Sequence, residues 1–235
     1  MSKNLRKDIL AVSLTSGTQR TVQQTTSKFH QAFPTIIYEK KLGGFLPSLY
    51  KSFEDAKFDN TSGKITGELN GKVLVHQDKR LDHFFRAVKG CVREYIDHFA
   101  IDKSTFEINF AKTWFTICDP GQHFPVHYHS CSHISWVYYI QTPGDPIILT
   151  KRNPNEWFGD AFKLIKENRY NNGDGYAITP QPEHLVMFPG SLEHYTSPEP
   201  REHRRISLAG DIVLTLKHRT DTESGMLPPR YWKQF

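Results

Sequence analysis

Four of the chain's twelve histidines, His123, His127, His129 and His133, fall within eleven residues. Histidine gathered in this way is the commonest side chain for holding a metal. His127 and His129 stand two apart, so on an extended strand both rings leave the same face and can reach one ion. A further histidine, His194, closes the run VMFPGSLEH, a strand pattern followed by a Pro-Gly turn. A strand pairing that brings residues 127 and 194 together would complete a three-nitrogen site. An isolated His-x-His is more often surface decoration or a core hydrogen-bonding pattern, and it is the second histidine that raises this one above the ordinary.

Arg205 follows His194 by eleven residues and opens the apolar strand RISLAGDIVL. An arginine at a strand start is usually a solvated edge charge. Here its planar fork of donors, with the Ser207 hydroxyl on the same face, suits bidentate capture of a carboxylate. The metal-type histidines and the carboxylate-type pair therefore lie on neighbouring segments of one region.

The surrounding pattern says what must position them. FPTIIYEKKL (33–42) reads as a strand, LPSLYKSFEDA (46–56) as a short helix and the Gly/Asn-rich stretch 60–71 as a loop. From Leu81 to Phe99 apolar residues recur at spacings of three and four, which predicts an amphipathic helix. After Ala100 come short β-rich runs, FEINFAKTWFTI, HISWVYYIQT, DPIILTK, YAITP, HLVMFPG and RRISLAGDIVLTLK, broken by an insertion over 153–175. Strands in this order without alternating helices predict an antiparallel sandwich or barrel with the long helix packed outside.

At 235 residues with 37% hydrophobic and 13% aromatic content, the chain can bury one sizeable core, which excludes a wholly disordered protein. Three cysteines without metal-type pairing suit a reducing compartment. With neither a signal-type segment nor an apolar run of membrane-spanning length, the expectation is a cytoplasmic protein with no membrane contact. The formal charge is +5, but residues 1–32 hold Lys3, Arg6, Lys7, Arg20 and Lys28 against Asp8 alone, so they carry +4 and leave +1 for 33–235. The expected organisation is thus a flexible basic extension (1–32) and a single domain (33–235), with helical support over 45–100 and a jelly-roll core over 101–216. A nearly neutral globule argues against a nucleic-acid surface.

The order His127-x-His129, a distal His194, then Arg205-x-Ser207 resembles the 2-oxoglutarate/Fe(II)-dependent oxygenases, and most closely a group related to the prolyl-hydroxylase-like enzymes. The resemblance runs from about Phe33 to Leu214 and includes the SWVYY and PGDPIIL runs. It implies a mainly β fold, the double-stranded β-helix or jelly roll, whose mouth holds Fe(II) and 2-oxoglutarate. It also implies hydroxylation of a C–H bond with O₂ and release of succinate and CO₂. By position, His127 and His194 become iron ligands, while Arg205 and Ser207, with the Tyr139 hydroxyl, hold the far carboxylate of 2-oxoglutarate. For Tyr139, a packed core aromatic is an equally good reading. Ascorbate is a further candidate cofactor.

One position departs from the pattern. The usual triad is His-x-Asp/Glu with a distal His, and the carboxylate slot here holds His129. The expectation is a three-histidine site, which leaves one more positive charge at the metal than the usual set. Asp119 or Glu193 could accept the second N–H of a ligand ring. His123 and His133 are read as supporting or surface groups, His184 as structural, and Cys131 as packed. The substrate classes expected are a peptidyl proline or other protein side chain, then a small metabolite. Two alternatives stay open, a cupin-type metal protein that does not use 2-oxoglutarate and a non-catalytic jelly-roll binding module.

Overall fold

A computed structural model of the chain describes residues 34–56, 74–102, 104–151, 175–196, 202–217 and 225–233. The expected basic extension, most of the 60–71 loop segment's surroundings with the loop itself, and nearly all of the 153–175 insertion lie outside them. The described elements are β1 (Tyr38–Lys41), α1 (Leu46–Glu54), α2 (Asp82–His98), β2 (Phe106–Cys118), β3 (Ile134–Gln141), β4 (Ile147–Thr150), β5 (Gly175–Ile178), β6 (His184–Pro189), β7 (Glu193–Thr196) and β8 (Arg205–Leu216).

The strands form two antiparallel sheets, one of five strands in the order β1-β6-β3-β8-β2 and one of three in the order β5-β4-β7. An antiparallel bridge between His127 and His194 adds a further extended segment beside β7. From β2 onward the chain alternates between the two sheets: β2 in the large one, the His127 segment in the small, β3 back in the large, β4 and β5 small, β6 large, β7 small, β8 large. That winding is the double-stranded β-helix anticipated from the sequence.

Period-two alternation sorts the strand residues onto two faces. Trp136, Tyr138, Leu185, Met187, Leu208 and Ile212 join the core under the helices, whereas Tyr139, Val186 and Phe188 join a second core with Ile147, Leu149 and Ile178 between the sheets. Helix α2 lays Phe84, Phe85, Val88, Val92 and Ile96 on the outer face of the large sheet. Phe84 meets Tyr138 edge to face at 5.0 Å. Each such fully buried side chain contributes about 2 kcal/mol, so the helix is a clamp that holds β3, β6 and β8 in register.

Two strand expectations change. The first strand begins at Tyr38 rather than Phe33, because its ladder exists only where β6 runs beside it, from Tyr38 opposite Met187 to Lys41 opposite His184. It forms one edge of the large sheet. Strand β7 was not among the anticipated strands, since four residues after a Pro-Gly turn carry too little periodicity to register. No helix among the described residues is long and apolar enough to cross a membrane.

Candidate metal centre

The site is built at the bridge between His127 and His194. Their backbones exchange two hydrogen bonds, His127 N–H to the His194 carbonyl at 3.0 Å and His194 N–H to the His127 carbonyl at 2.9 Å. The rings stand together, with centroids 4.2 Å apart. His129 is held by its own N–H on the Gly190 carbonyl at 2.8 Å. Only glycine fits at 190, where an added Cβ would come within 2.4 Å of the Ser132 carbonyl oxygen. The Pro-Gly turn before β7 thus places His194 and also anchors the loop that carries His129.

Ligating nitrogens of His127, His129 and His194 all lie within 4.8 Å of one another. The tautomers follow from what each Nδ1 faces. His127 Nδ1 lies 2.8 Å from the Pro125 carbonyl, and His194 Nδ1 lies 3.0 Å from the Leu192 carbonyl. His129 Nδ1 lies 2.5 Å from Oδ1 of Asp211. Carbonyl and carboxylate oxygens accept, so each Nδ1 carries the hydrogen and Nε2 is the nitrogen that each ring, in its neutral form, would offer to a metal. Burial, followed by the neighbouring His127, pushes His194 down to about 3 from the ordinary imidazole value, which keeps it neutral as a ligand must be. This donor set suits a divalent transition metal.

The histidines open into a cavity of about 530 Å³ shared with Tyr139, Arg205 and Ser207. Alternate residues of β8, Arg205, Ser207, Ala209 and Asp211, all line it. Arg205 is 3% exposed, with its guanidinium carbon 5.8 Å from the centre of the Phe124 ring. It donates to Asp145 at 3.0 Å, so its charge is matched within the protein. Ser207 shares a 2.6 Å hydrogen bond with Thr116 on β2. Tyr139 is 1% exposed, and burial raises its hydroxyl far above the usual phenol range.

The remaining sequence candidates fall away from the centre. His123 is exposed, and His133 accepts the Leu214 N–H at 3.0 Å, a structural role. Neither Asp119 nor Glu193 serves as a ligand partner: Asp119 pairs with Arg204 at 2.8 Å and Glu193 is exposed on β7. Two backbone carbonyls and Asp211 take that part. Cys131 is exposed on the cavity rim instead of packed, because it lies on the loop between His129 and β3 rather than in a strand. Asp145 and Asp211 were missed. Their only sequence signal is an acidic residue inside an apolar run, at DPIIL and AGDIV.

Residues 112–211 match the family model described as "Putative 2OG-Fe(II) oxygenase". No curated relative matches the chain. Among solved structures, a prolyl-4-hydroxylase from Pseudomonas putida is 15% identical, with a TM-score of 0.46, covering 76% of this chain and 92% of that one. HygX from Streptomyces hygroscopicus with nickel and 2-oxoglutarate bound is 11% identical, with a TM-score of 0.48 and coverage of 76% and 82%. A 2OG-Fe(II) oxygenase family oxidoreductase from Burkholderia pseudomallei is 11% identical, with a TM-score of 0.45 and coverage of 71% and 76%.

Proposed function

We propose, from the match of residues 112–211 to a 2-oxoglutarate/Fe(II) oxygenase family model, that the chain hydroxylates a peptidyl proline or other protein side chain, with His127, His129 and His194 holding the iron. The observation that carries the metal site is the set of three histidines whose ligating nitrogens lie within 4.8 Å of one another, each with Nδ1 facing an acceptor. Fe(II) with 2-oxoglutarate and O₂ supplies the oxidising power for C–H hydroxylation, the cosubstrate leaving as succinate and CO₂. A metal held by only three protein ligands would keep positions open for the cosubstrate and O₂.

The protein's own residues do the rest. Arg205 and Ser207, with the Tyr139 hydroxyl beside them in the cavity, bind the far carboxylate of 2-oxoglutarate and so fix which end faces the metal. Phe124 and Phe188 line the same space and exclude water from it. A protein substrate is supported by the rim, where Val126 and Tyr128, flanking the first two histidines, are 55% and 57% exposed. An apolar rim of that kind suits contact with a chain larger than the cavity.

The test is succinate release. With Fe(II), O₂ and a proline-containing peptide library, the purified chain should convert 2-oxoglutarate to succinate and add 16 mass units to one peptide, about the mass of one oxygen atom. Succinate release without any modified peptide, and modification of a small metabolite instead, would move the substrate to the second class. A second reading, a cupin-type metal protein that does not use 2-oxoglutarate, draws on the pairing of Arg205 with Asp145. It requires that 2-oxoglutarate be neither bound nor consumed.

A further inference from the structure

Asp211 is 7% exposed, lines the cavity and accepts two hydrogen bonds at one oxygen: from His129 Nδ1 at 2.5 Å and from Ser135 Oγ at 2.9 Å. Both hydrogen bonds reach the same oxygen, Oδ1, which therefore acts only as an acceptor. Ser135 stands directly opposite Asp211 across the β3/β8 ladder, and its hydroxyl therefore fixes where that charge sits. On β2 the cross-strand neighbour, Lys112, is exposed, and the buried guanidinium of the cavity, Arg205, is matched by Asp145.

Resting on the three-histidine reading above, we propose that Asp211 returns to this site the negative charge that His129 removes from it. A set of three neutral imidazoles gives a divalent ion no anionic ligand. A carboxylate one hydrogen bond behind His129 restores that charge through the ring, makes Nε2 a stronger donor and fixes the ring's orientation. Asp211 is thus a positioning and charge-supplying residue, and His129 with Asp211 acts as a composite of the carboxylate ligand. The pair spans 82 residues of sequence and exists only because β8 places Asp211 on the cavity face beside Ser135.

Substituting Asp211 by Asn keeps an oxygen acceptor for His129 and removes only the charge, so charge and geometry separate. The probe is Co(II) or Fe(II) alone, titrated anaerobically into the full chain by calorimetry, with the Co(II) visible spectrum as a second readout. D211N should bind metal 10 to 100 times more weakly, the range of outer-shell carboxylate losses, with the Co(II) bands shifted. H129D should bind poorly while Asp211 remains, because two carboxylates then crowd one site. The double variant H129D/D211N should recover affinity, a non-additive rescue that no structural role of Asp211 would yield. Unchanged affinity and spectrum in D211N, or equal binding by H129D and H129D/D211N, overturns the proposal while leaving the metal site intact. Failure of the unsubstituted chain to bind metal overturns the three-histidine reading and this proposal together.

Discussion

Arg205 and Asp145 form an ion pair with 3.0 Å between Nη1 and Oδ2, their side chains only 3% and 4% exposed. The residue assigned to the cosubstrate's carboxylate thus already faces a carboxylate of the protein. Breaking a buried pair from one side costs about 3 kcal/mol or more, because it leaves the other charge uncompensated.

D145N is therefore expected to lower the stability of the ligand-free protein by about 3 kcal/mol in urea denaturation. An anionic cosubstrate then replaces the missing partner, so 2-oxoglutarate should raise the melting temperature of D145N more than that of the unsubstituted chain. Equal shifts in the two proteins would show that the cosubstrate does not use Arg205.

R205A should abolish binding of 2-oxoglutarate and leave metal binding intact, whereas H194A should remove the metal itself. Calorimetry with metal first and cosubstrate second distinguishes them. Normal 2-oxoglutarate affinity in R205A would contradict the carboxylate assignment.

These residues differ in how far sequence could reveal them. His127, His129 and His194 were visible because their types and their places beside strand patterns are unusual, and α2 was visible because Phe84, Phe85, Val88, Val92, Tyr95 and Ile96 repeat with helical period. Asp145 and Asp211 look like ordinary polar punctuation in a strand until the β3/β8 register and the β4 turn bring them to Ser135, His129 and Arg205. Strand β7 was hidden for a related reason: its pairing with β4 and with the His127 segment, rather than its own four residues, makes it a strand.

Gly210 packs against the indole of Trp136, where an added Cβ would lie 2.6 Å from Cζ2. Trp136 is wholly buried, so it cannot yield without disturbing the core under α2. G210A is expected to cost about 1 to 3 kcal/mol by overpacking, read by urea denaturation and tryptophan fluorescence. Undiminished stability would show that the indole can shift.

Asp78 caps the 3-10 turn ahead of α2, accepting from the Arg80 backbone N–H at 3.0 Å, from the Arg80 side chain and from Ser52 Oγ at 2.8 Å. Arg80, then Ser52, hold its carboxyl down at about 2, against about 4 in the unfolded chain. The stabilisation is complete above about pH 4 and is lost as pH falls towards 2, about 1 kcal/mol once screening at the half-exposed Arg80 is allowed for. D78N should flatten that segment of the stability profile, and an unchanged profile would contradict the assignment.

The most direct measurement is anaerobic addition of 2-oxoglutarate to the Fe(II)-loaded chain, followed by visible absorption. Chelation of a 2-oxo acid by Fe(II) held on three histidines should produce a metal-to-ligand charge-transfer band, present in the unsubstituted chain and absent from H194A. Iron binding with no band and no thermal shift on adding 2-oxoglutarate would contradict the oxygenase reading and favour a metal protein that does not use it.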